Sequence, residues 1–277
     1  MEEAISFLDA HPKTAVIAGG TDLVVNMKKK TVSPEHVLSL SKINALGKIQ
    51  EERGFIRIGA CVTVSDIIDT PLFPKSMRAL VQSAQNLGTP LIRNRATIGG
   101  NIMSARPAAD LICSLLALEA DVELLSHAGH RIIPLSELLK GPGITTARPG
   151  EILVSILIEM HPDRTGSDYQ GLGIRKTHEI NLINVSAVLT LDADEIVQRA
   201  RVAVGCVGPT HILSESAAKI LEGRKILSEM VEESAAACVD DCAPIDDFRS
   251  TAEYRNKMAR VMTKRALYQA WKHAVDA

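Results

Sequence analysis

The chain has 277 residues, with 31 basic and 33 acidic side chains, a formal net charge of −2, and 46% hydrophobic but only 3% aromatic residues. That is enough apolar material for one large domain or two of ordinary size, while near-neutrality and scarce aromatics give no reason to expect a nucleic-acid partner. The most apolar stretch, Leu111 to Leu118, is far short of the ~20 residues that span a bilayer. The opening Met1-Glu2-Glu3-Ala4 is acidic and does not resemble a signal peptide. Five scattered cysteines, Cys61, Cys113, Cys206, Cys238 and Cys242, read as reduced thiols and point to a cytoplasmic location.

Residues 4–10 read as the tail of a helix ending at His11-Pro12. Ala15 to Ala18 has strand character and stops at Gly19-Gly20, after which Thr21 or Asp22 is placed to cap a helix running to Lys28. Val37 to Leu40 and Phe55 to Ile58 read as strands, with a hairpin turn at Glu51-Glu52-Arg53-Gly54. A helix starts at Val64 under a Thr63 or Ser65 cap, and Ser76 to Leu87 is a periodic helix stopped by Gly88 and Pro90. Ala108 to Leu118 is helical, and Asp121 to Leu125 with Arg131 to Ile133 forms a hairpin turning at Gly129. The polar stretch from His161 to Asp168 reads as a domain boundary. Beyond it, strands at Val185 to Leu191 and Arg201 to Val207 precede helices at Ser214 to Leu221, Ser228 to Val239 and Glu253 to Ala274. Strands followed by helices indicate an α+β unit.

Two similar loops carry the chemistry: Ile17-Ala18-Gly19-Gly20-Thr21-Asp22-Leu23 and Thr97-Ile98-Gly99-Gly100-Asn101-Ile102. A glycine pair allows close approach, and successive exposed amides converge on an anion such as phosphate. Each loop alone reads more readily as a tight turn. Neither is a P-loop nor a Rossmann fingerprint, so a dinucleotide here requires another fold. Carboxylates at Asp22 and Asp110 are repelled by a diphosphate and suit hydroxyl or amide donors. Asp110 also reads as a first-turn acid complementing a helix dipole. Cys238 and Cys242, four apart on a helix, read as core rather than metal ligands. His178-Glu179 reads as a solvated loop, and Lys28-Lys29-Lys30 as an exposed face. Ser104 and Ser216 lack a nucleophile-elbow context.

Taken jointly, Ala18-Gly19-Gly20-Thr21-Asp22-Leu23, Ile92-Arg93-Asn94-Arg95, Thr97 to Ile102 and Ala105-Arg106-Pro107-Ala108-Ala109-Asp110 resemble the two FAD loops of the flavoprotein subunits of xanthine dehydrogenase, carbon monoxide dehydrogenase and 4-hydroxybenzoyl-CoA reductase. Gly205-Cys206-Val207-Gly208-Pro209-Thr210, Ser250 to Arg255 and Lys264 to Leu267 resemble the C-terminal domain of the same family, so the likeness covers nearly the whole chain. It implies an α+β fold: a two-lobed FAD-binding domain of the vanillyl-alcohol-oxidase (PCMH) type over residues 1–165, with lobes at roughly 1–50 and 51–165, then a smaller α+β domain of sheet plus helices over 166–277. The usual first strand is expected to be shortened or absent.

The resemblance further implies FAD as cofactor, with Ile17, Ala18, Gly19, Gly20, Thr21, Asp22 and Leu23 lining the diphosphate, and Thr97, Gly99, Gly100 and Asn101 closing on it. Asp110 would bind adenosine or ribityl groups, Leu153 would pack on the cofactor, and Leu87 would contact the ring. The flavin is expected between the N-terminal lobes, with its ring near the C-terminal domain. No catalytic acid–base residue and no metal or iron–sulfur cluster is expected in this chain. Many relatives place a lysine two residues after the aromatic that opens the C-terminal domain; here Tyr169-Gln170-Gly171 places glycine, leaving Arg175 or Lys176 as substitutes. The implied partners are a molybdenum-cofactor subunit and a 2Fe-2S subunit, with NAD or another acceptor. The rival expectations are a stand-alone FAD oxidase of the same fold and a flavin-free assembly module. Valine at both Gly99 and Gly100 is expected to remove flavin with the fold largely kept.

Overall fold

In a computed structural model, residues 1–175 and 180–277 are described. In chain order the elements are α1 (Glu2–Ala10), β1 (Thr14–Ile17), α2 (Leu23–Lys28), β2 (His36–Ser39), β3 (Ile49–Glu52), β4 (Phe55–Gly59), α3 (Val64–Asp69), α4 (Arg78–Asn86), α5 (Pro90–Arg93), α6 (Ile98–Met103) and α7 (Asp110–Ala117). They continue with β5 (Asp121–Ser126), β6 (Gly129–Pro134), α8 (Leu135–Leu138), β7 (Leu139–Gly141), β8 (Ile144–Thr145), β9 (Ile152–Glu159), β10 (Thr165–Leu172), β11 (Ile183–Leu191), β12 (Val197–Gly205), β13 (Ile212–Leu213), α9 (Glu215–Leu221), α10 (Ser228–Asp240) and α11 (Ala252–Val275). Short 3-10 turns at Asn44–Gly47 and Lys75–Met77 precede β3 and α4. Among the described residues no helix is long and apolar enough to cross a membrane.

The architecture is α+β and divides into two compact units, neither continuous in sequence. Unit 1 holds Met1–Leu72, Thr89–Ala105 and Glu119–Glu159; unit 2 holds Phe73–Gly88, Arg106–Leu118 and Met160–Ala277.

Unit 1 is built on an antiparallel five-stranded sheet in the order β3-β4-β9-β5-β6, beside a parallel pair, β1 and β2. The central strand β9 reads Ile-Leu-Val-Ser-Ile-Leu-Ile-Glu and is buried along almost its whole length. Such a continuous apolar run has no period-2 signal, which is why alternation does not reveal it. The expected turn at Glu51 to Gly54 joins β3 to β4, with Arg53 and Gly54 both at positive φ, and Gly129 opens β6 after the expected turn. Thr63 rather than Ser65 caps α3, in a reciprocal capping box with Asp66. Ser65 instead donates to Asn94 Oδ1 at 2.6 Å.

Unit 2 is a four-stranded antiparallel sheet, β10-β11-β12-β13. Ile183, Val185, Ala187, Leu189 and Leu191 of β11 form a core with Ala217 and Leu221 of α9, Met230 and Cys238 of α10, and Ala259, Ala266 and Ala270 of α11. The sheet also contacts α4 and α7, so β11 is buried on both sides and reads as near-continuous apolar sequence. Cys238 is one of these core residues, with Thr263 Oγ1 donating to its sulfur.

The sequence reading errs at β10. Thr165-Gly-Ser-Asp-Tyr looks like a polar boundary, yet these five residues are buried strand. Their polar groups are tolerated inside because each is matched. Ser167 Oγ accepts the Ala79 N–H at 3.0 Å, and Asp168 accepts from Gln82 and Gln170 at 2.9 and 2.7 Å. Thr165 and Thr190 share a hydroxyl bond at 2.9 Å.

Candidate functional site

Unit 1 brings the two glycine loops together. β1 ends at Ile17, whose carbonyl accepts from Leu40 N–H at 2.9 Å, and the chain then turns through Gly20 at φ +76°. Gly19 lies so tightly against the Arg95 carbonyl that a Cβ there would overlap it, and would sit 3.2 Å from Ala96 Cα. The first loop is therefore seated on the backbone that leads into the second.

The second loop is tied down from the other side. Ile98 and Gly99 donate to the Val62 and Ala60 carbonyls at 3.0 and 2.9 Å, and Ala60 donates to Val154 of β9 at 3.0 Å. Thr97, 5% exposed, caps α6 by accepting from Gly100 N–H at 3.1 Å.

The donors left over are informative. Among the described residues, none of the six consecutive backbone N–H groups from Ala18 to Leu23 donates a hydrogen bond, although this stretch is half-buried except at exposed Asp22. Half-buried amides without protein partners are open to water or to an anion, and a run of six can converge on a polyanionic group. Asp22 stands at the N-cap position of α2 but makes no side-chain cap bond, so the capping expected of it or of Thr21 does not occur. In the second loop, buried Asn101 Oδ1 has no hydrogen-bond partner. Gly100 is exposed, and a Cβ there would meet only Thr97 Oγ1, at 3.0 Å.

Gly99 behaves differently from the sequence expectation. Its Cβ would lie 2.6 Å from the Ala60 carbonyl oxygen and 2.7 Å from Ala60 Cβ. That glycine is demanded by backbone packing rather than by ligand approach, so valine at Gly99 would disturb the fold, and the double substitution is not a clean probe. Leu153, on β9, is only 4% exposed and offers little surface to a cofactor.

Leu87 and Asp110 belong to unit 2. Leu87 closes α4 and is 8% exposed. Asp110 opens α7, yet its carboxylate does more than complement the helix dipole. Oδ1 accepts from Asn86 Nδ2 at 2.8 Å, Asn181 Nδ2 at 2.8 Å and the Tyr169 hydroxyl at 3.2 Å. Oδ2 takes none of these three. Desolvation raises the Asp110 carboxyl above the ordinary range, while the Asn86, Asn181 and Tyr169 bonds pull it back. Burial, then the Asp110 charge, pushes the Tyr169 phenol well up, which keeps it a donor. Gly171 explains the missing lysine: a Cβ there would lie 2.9 Å from Asn86 Nδ2 and 3.1 Å from Asn181 Oδ1. A side chain would displace the amides that hold Asp110. Of the suggested substitutes, Arg175 is described, whereas Lys176, like His178-Glu179, lies outside the described residues.

Asn86, Tyr169, Asn181 and His211 are the residues that local pattern reading missed. The one usable signal is Asn184, an amide inside the apolar run of β11 and fully buried. His211 fixes the backbone just before Asp110: its Nε2–H donates to the Ala109 carbonyl at 2.9 Å. Burial lowers this imidazole from 6.5 to about 4, partly opposed by that hydrogen bond. The unfolded chain therefore binds a proton between these values that the folded chain refuses. The stability from neutral His211 is fully present above pH 6.5 and is lost as pH falls toward 4, by about 3 kcal/mol from this group. Denaturant melts at pH 7 and pH 5 should show about 2 kcal/mol of that loss, and His211→Gln should flatten it; an equal pH slope in the variant would refute the assignment.

Comparison with known proteins identifies the family. Residues 1–159 match the family described as FAD binding domain in molybdopterin dehydrogenase, and residues 172–270 match the CO dehydrogenase flavoprotein C-terminal domain. The chain is 32% identical to the carbon monoxide dehydrogenase medium chain of Hydrogenophaga pseudoflava, over 97% of this chain and 93% of that one. It is 28% identical to a putative xanthine dehydrogenase FAD-binding subunit of Escherichia coli, over 98% and 93%. In structure it is similar to the carbon monoxide dehydrogenase of H. pseudoflava, with TM-score 0.94 and 31% identity, covering 98% of this chain and 94% of that one. The chain belongs to the FAD-binding subunits of the molybdenum hydroxylase family.

Proposed function

We propose that this subunit passes electrons between the iron–sulfur clusters of a partner subunit and NAD or another acceptor, within a complex whose molybdenum subunit transforms the substrate. The observation that carries the reading is the run of unpaired amides from Ala18 to Leu23 held against the second glycine loop. Bound FAD supplies a carrier able to handle one or two electrons, and the protein's task is to position it.

On this reading Ile17 to Leu23 donate backbone N–H groups to the diphosphate. Thr97 shapes the second loop through its cap, Gly99 seats that loop on Ala60, Gly100 leaves room for the ligand, and Asn101 turns its unpaired Oδ1 to a ligand donor. Asp110, steadied through Oδ1 by Asn86, Asn181 and Tyr169, offers Oδ2 to a hydroxyl of the ribityl or adenosine part. Leu87 serves as an apolar wall, and the little surface that Leu153 offers packs on the cofactor. None of these groups moves a proton to or from an organic substrate.

Partner association is supported by the relatives, which carry names such as medium chain and FAD-binding subunit. It is also supported by α2, where no residue is buried and Val24, Val25 and Met27 are exposed. Five free cysteines fit a cytoplasmic location. The chain divides functionally, in this proposal, into a FAD-binding part over residues 1–165 and a C-terminal domain over 166–277.

The test is co-expression with the adjacent reading frames. A yellow complex with stoichiometric FAD, iron and molybdenum, whose flavin is reduced by the substrate of the molybdenum subunit, is the expected outcome. An isolated yellow chain that turns over an alcohol with oxygen at enzymatic rates would overturn the relay in favour of a self-sufficient oxidase. A chain that stays colourless in excess FAD would point to an assembly module.

A further inference from the structure

Unit 2 contains a concavity at the opposite end of α4 from Asn86. Its volume is about 270 Å³, and it is lined by Lys75, Arg78, Gln269, Lys272, His273 and Asp276. We propose that it is a binding site for a phosphate group, either inorganic phosphate or a small phosphate monoester.

The lining comes from two ends of the unit that the fold holds together. Lys75 lies in the 3-10 turn before α4, and Arg78 is the first residue of α4. The other four residues come from the last turns of α11 and its C-cap. β10 joins them: His273 Nδ1–H donates to the Ser167 carbonyl at 2.9 Å, and Ala79 N–H donates to Ser167 Oγ at 3.0 Å. With Nδ1 as the donor, Nε2 of His273 carries the lone pair that accepts from Arg78 Nη1 at 2.7 Å. The guanidinium is thereby aimed while its remaining N–H groups stay available. The Lys272 ammonium rests over the Tyr268 ring, 4.6 Å from its centre.

The electrostatics favour an anion. Among the described residues, Lys75, Arg78 and Lys272 form no ion pair with a carboxylate. Asp276 is the only acid in the lining, which leaves a net excess of two positive charges with His273 neutral. Lys272 has a local explanation, because a cation in the last turn of α11 complements its dipole. Arg78 is partly compensated by the nearby Asp168 carboxylate of β10, whereas Lys75 has no such explanation. Both stand at the N-terminal end of α4, whose first turn contains no acid, and there the helix dipole opposes a cation. An excess of positive charge where the local backbone disfavours it, beside the further cation Lys272 and a cavity, is the signature of a ligand site rather than of a solvated face.

Size sets the ligand class. About 270 Å³ is ample for a phosphate or a compact monoester, whose charge the lining matches. It is also separate from the Asp110 cluster. Arg78 and Asn86 stand at opposite ends of α4, about 12 Å apart at the α-helical rise.

The experiment uses the FAD-loaded complex at constant ionic strength, titrated with inorganic phosphate and read by calorimetry and 31P NMR line width, with chloride as the control anion. Saturable phosphate binding is expected. Arg78→Gln and Lys272→Gln should each weaken it at least 10-fold, and the double variant should abolish it with the flavin spectrum unchanged. Repeating the titration with glycerol phosphate separates the two sources: tighter binding than phosphate identifies a monoester, equal or weaker binding identifies the free anion. Absent saturation, equal binding by chloride, or undiminished affinity in the double variant would overturn the proposal. A phosphate signal lost in Gly100→Leu but kept in the double variant would also overturn it, because the anion would then be reporting the diphosphate cradle.

Discussion

Gly19→Ala is expected to be almost as damaging as Gly19→Val, with flavin lost and the protein destabilised by about 3 kcal/mol or more. The reason is that the obstacle is the Cβ itself. An added carbon at position 19 overlaps the Arg95 carbonyl, a backbone group in the turn that α5 and α6 bracket, and no flexible side chain is available to yield. Relief requires the first loop to lift away from residues 95–96, which separates the amides of Ala18 to Leu23 from Thr97 to Asn101. Stability and cofactor affinity therefore fall together. Denaturant melts and FAD retention after ultrafiltration measure both. If alanine at 19 keeps stoichiometric flavin and an unchanged midpoint, the seating of one loop on the other is not what builds the cradle.

The same contact shows what a sequence conveys and what it withholds. The loops are legible because each puts a glycine pair after an apolar residue and a polar residue after the pair, and because their joint occurrence resembles a family. Which glycine serves which purpose is not legible. Gly99 and Gly100 are neighbours of identical chemistry, yet one is pressed on Ala60 and the other is open to solvent. That difference depends on where residues 60–62 pass, some forty positions away along the chain. Helices with clear stops were readable, as α4 and α11 show, and so was the β3–β4 turn. β9 was hidden by being apolar on both faces, and β10 by being polar while buried. In β10 the partners that make burial tolerable, Gln82 and Ala79, lie on α4, so no local window contains both halves of the bond. The Asp110 cluster fails to show for the same reason: Asn86, Asp110, Tyr169 and Asn181 are spread over nearly a hundred residues and meet only in the folded unit. Gly171, read in isolation as a lost lysine, is in the structure the space in which that cluster fits.

Gly100→Leu is expected to do the opposite of the Gly19 substitution: abolish flavin binding while leaving the fold intact. Position 100 is exposed, has ordinary helical backbone in the first turn of α6, and offers a new Cβ only the Thr97 hydroxyl, which has to give by a few tenths of an ångström. Alanine should therefore be tolerated, with stability held within about 1 kcal/mol, the helix gaining propensity where glycine is poor. Leucine extends the same vector into the space that the ligand's phosphates would occupy. A fall in FAD affinity of at least 100-fold, about 2.7 kcal/mol, is the expected size. The graded series matters more than either variant. A ligand that approaches the backbone at 100 responds to side-chain length, whereas a purely structural glycine responds at once to the first carbon. If Gly100→Leu binds FAD as the unaltered chain does, the second loop does not touch the cofactor, and the unpaired amides of Ala18 to Leu23 must be satisfied by something else.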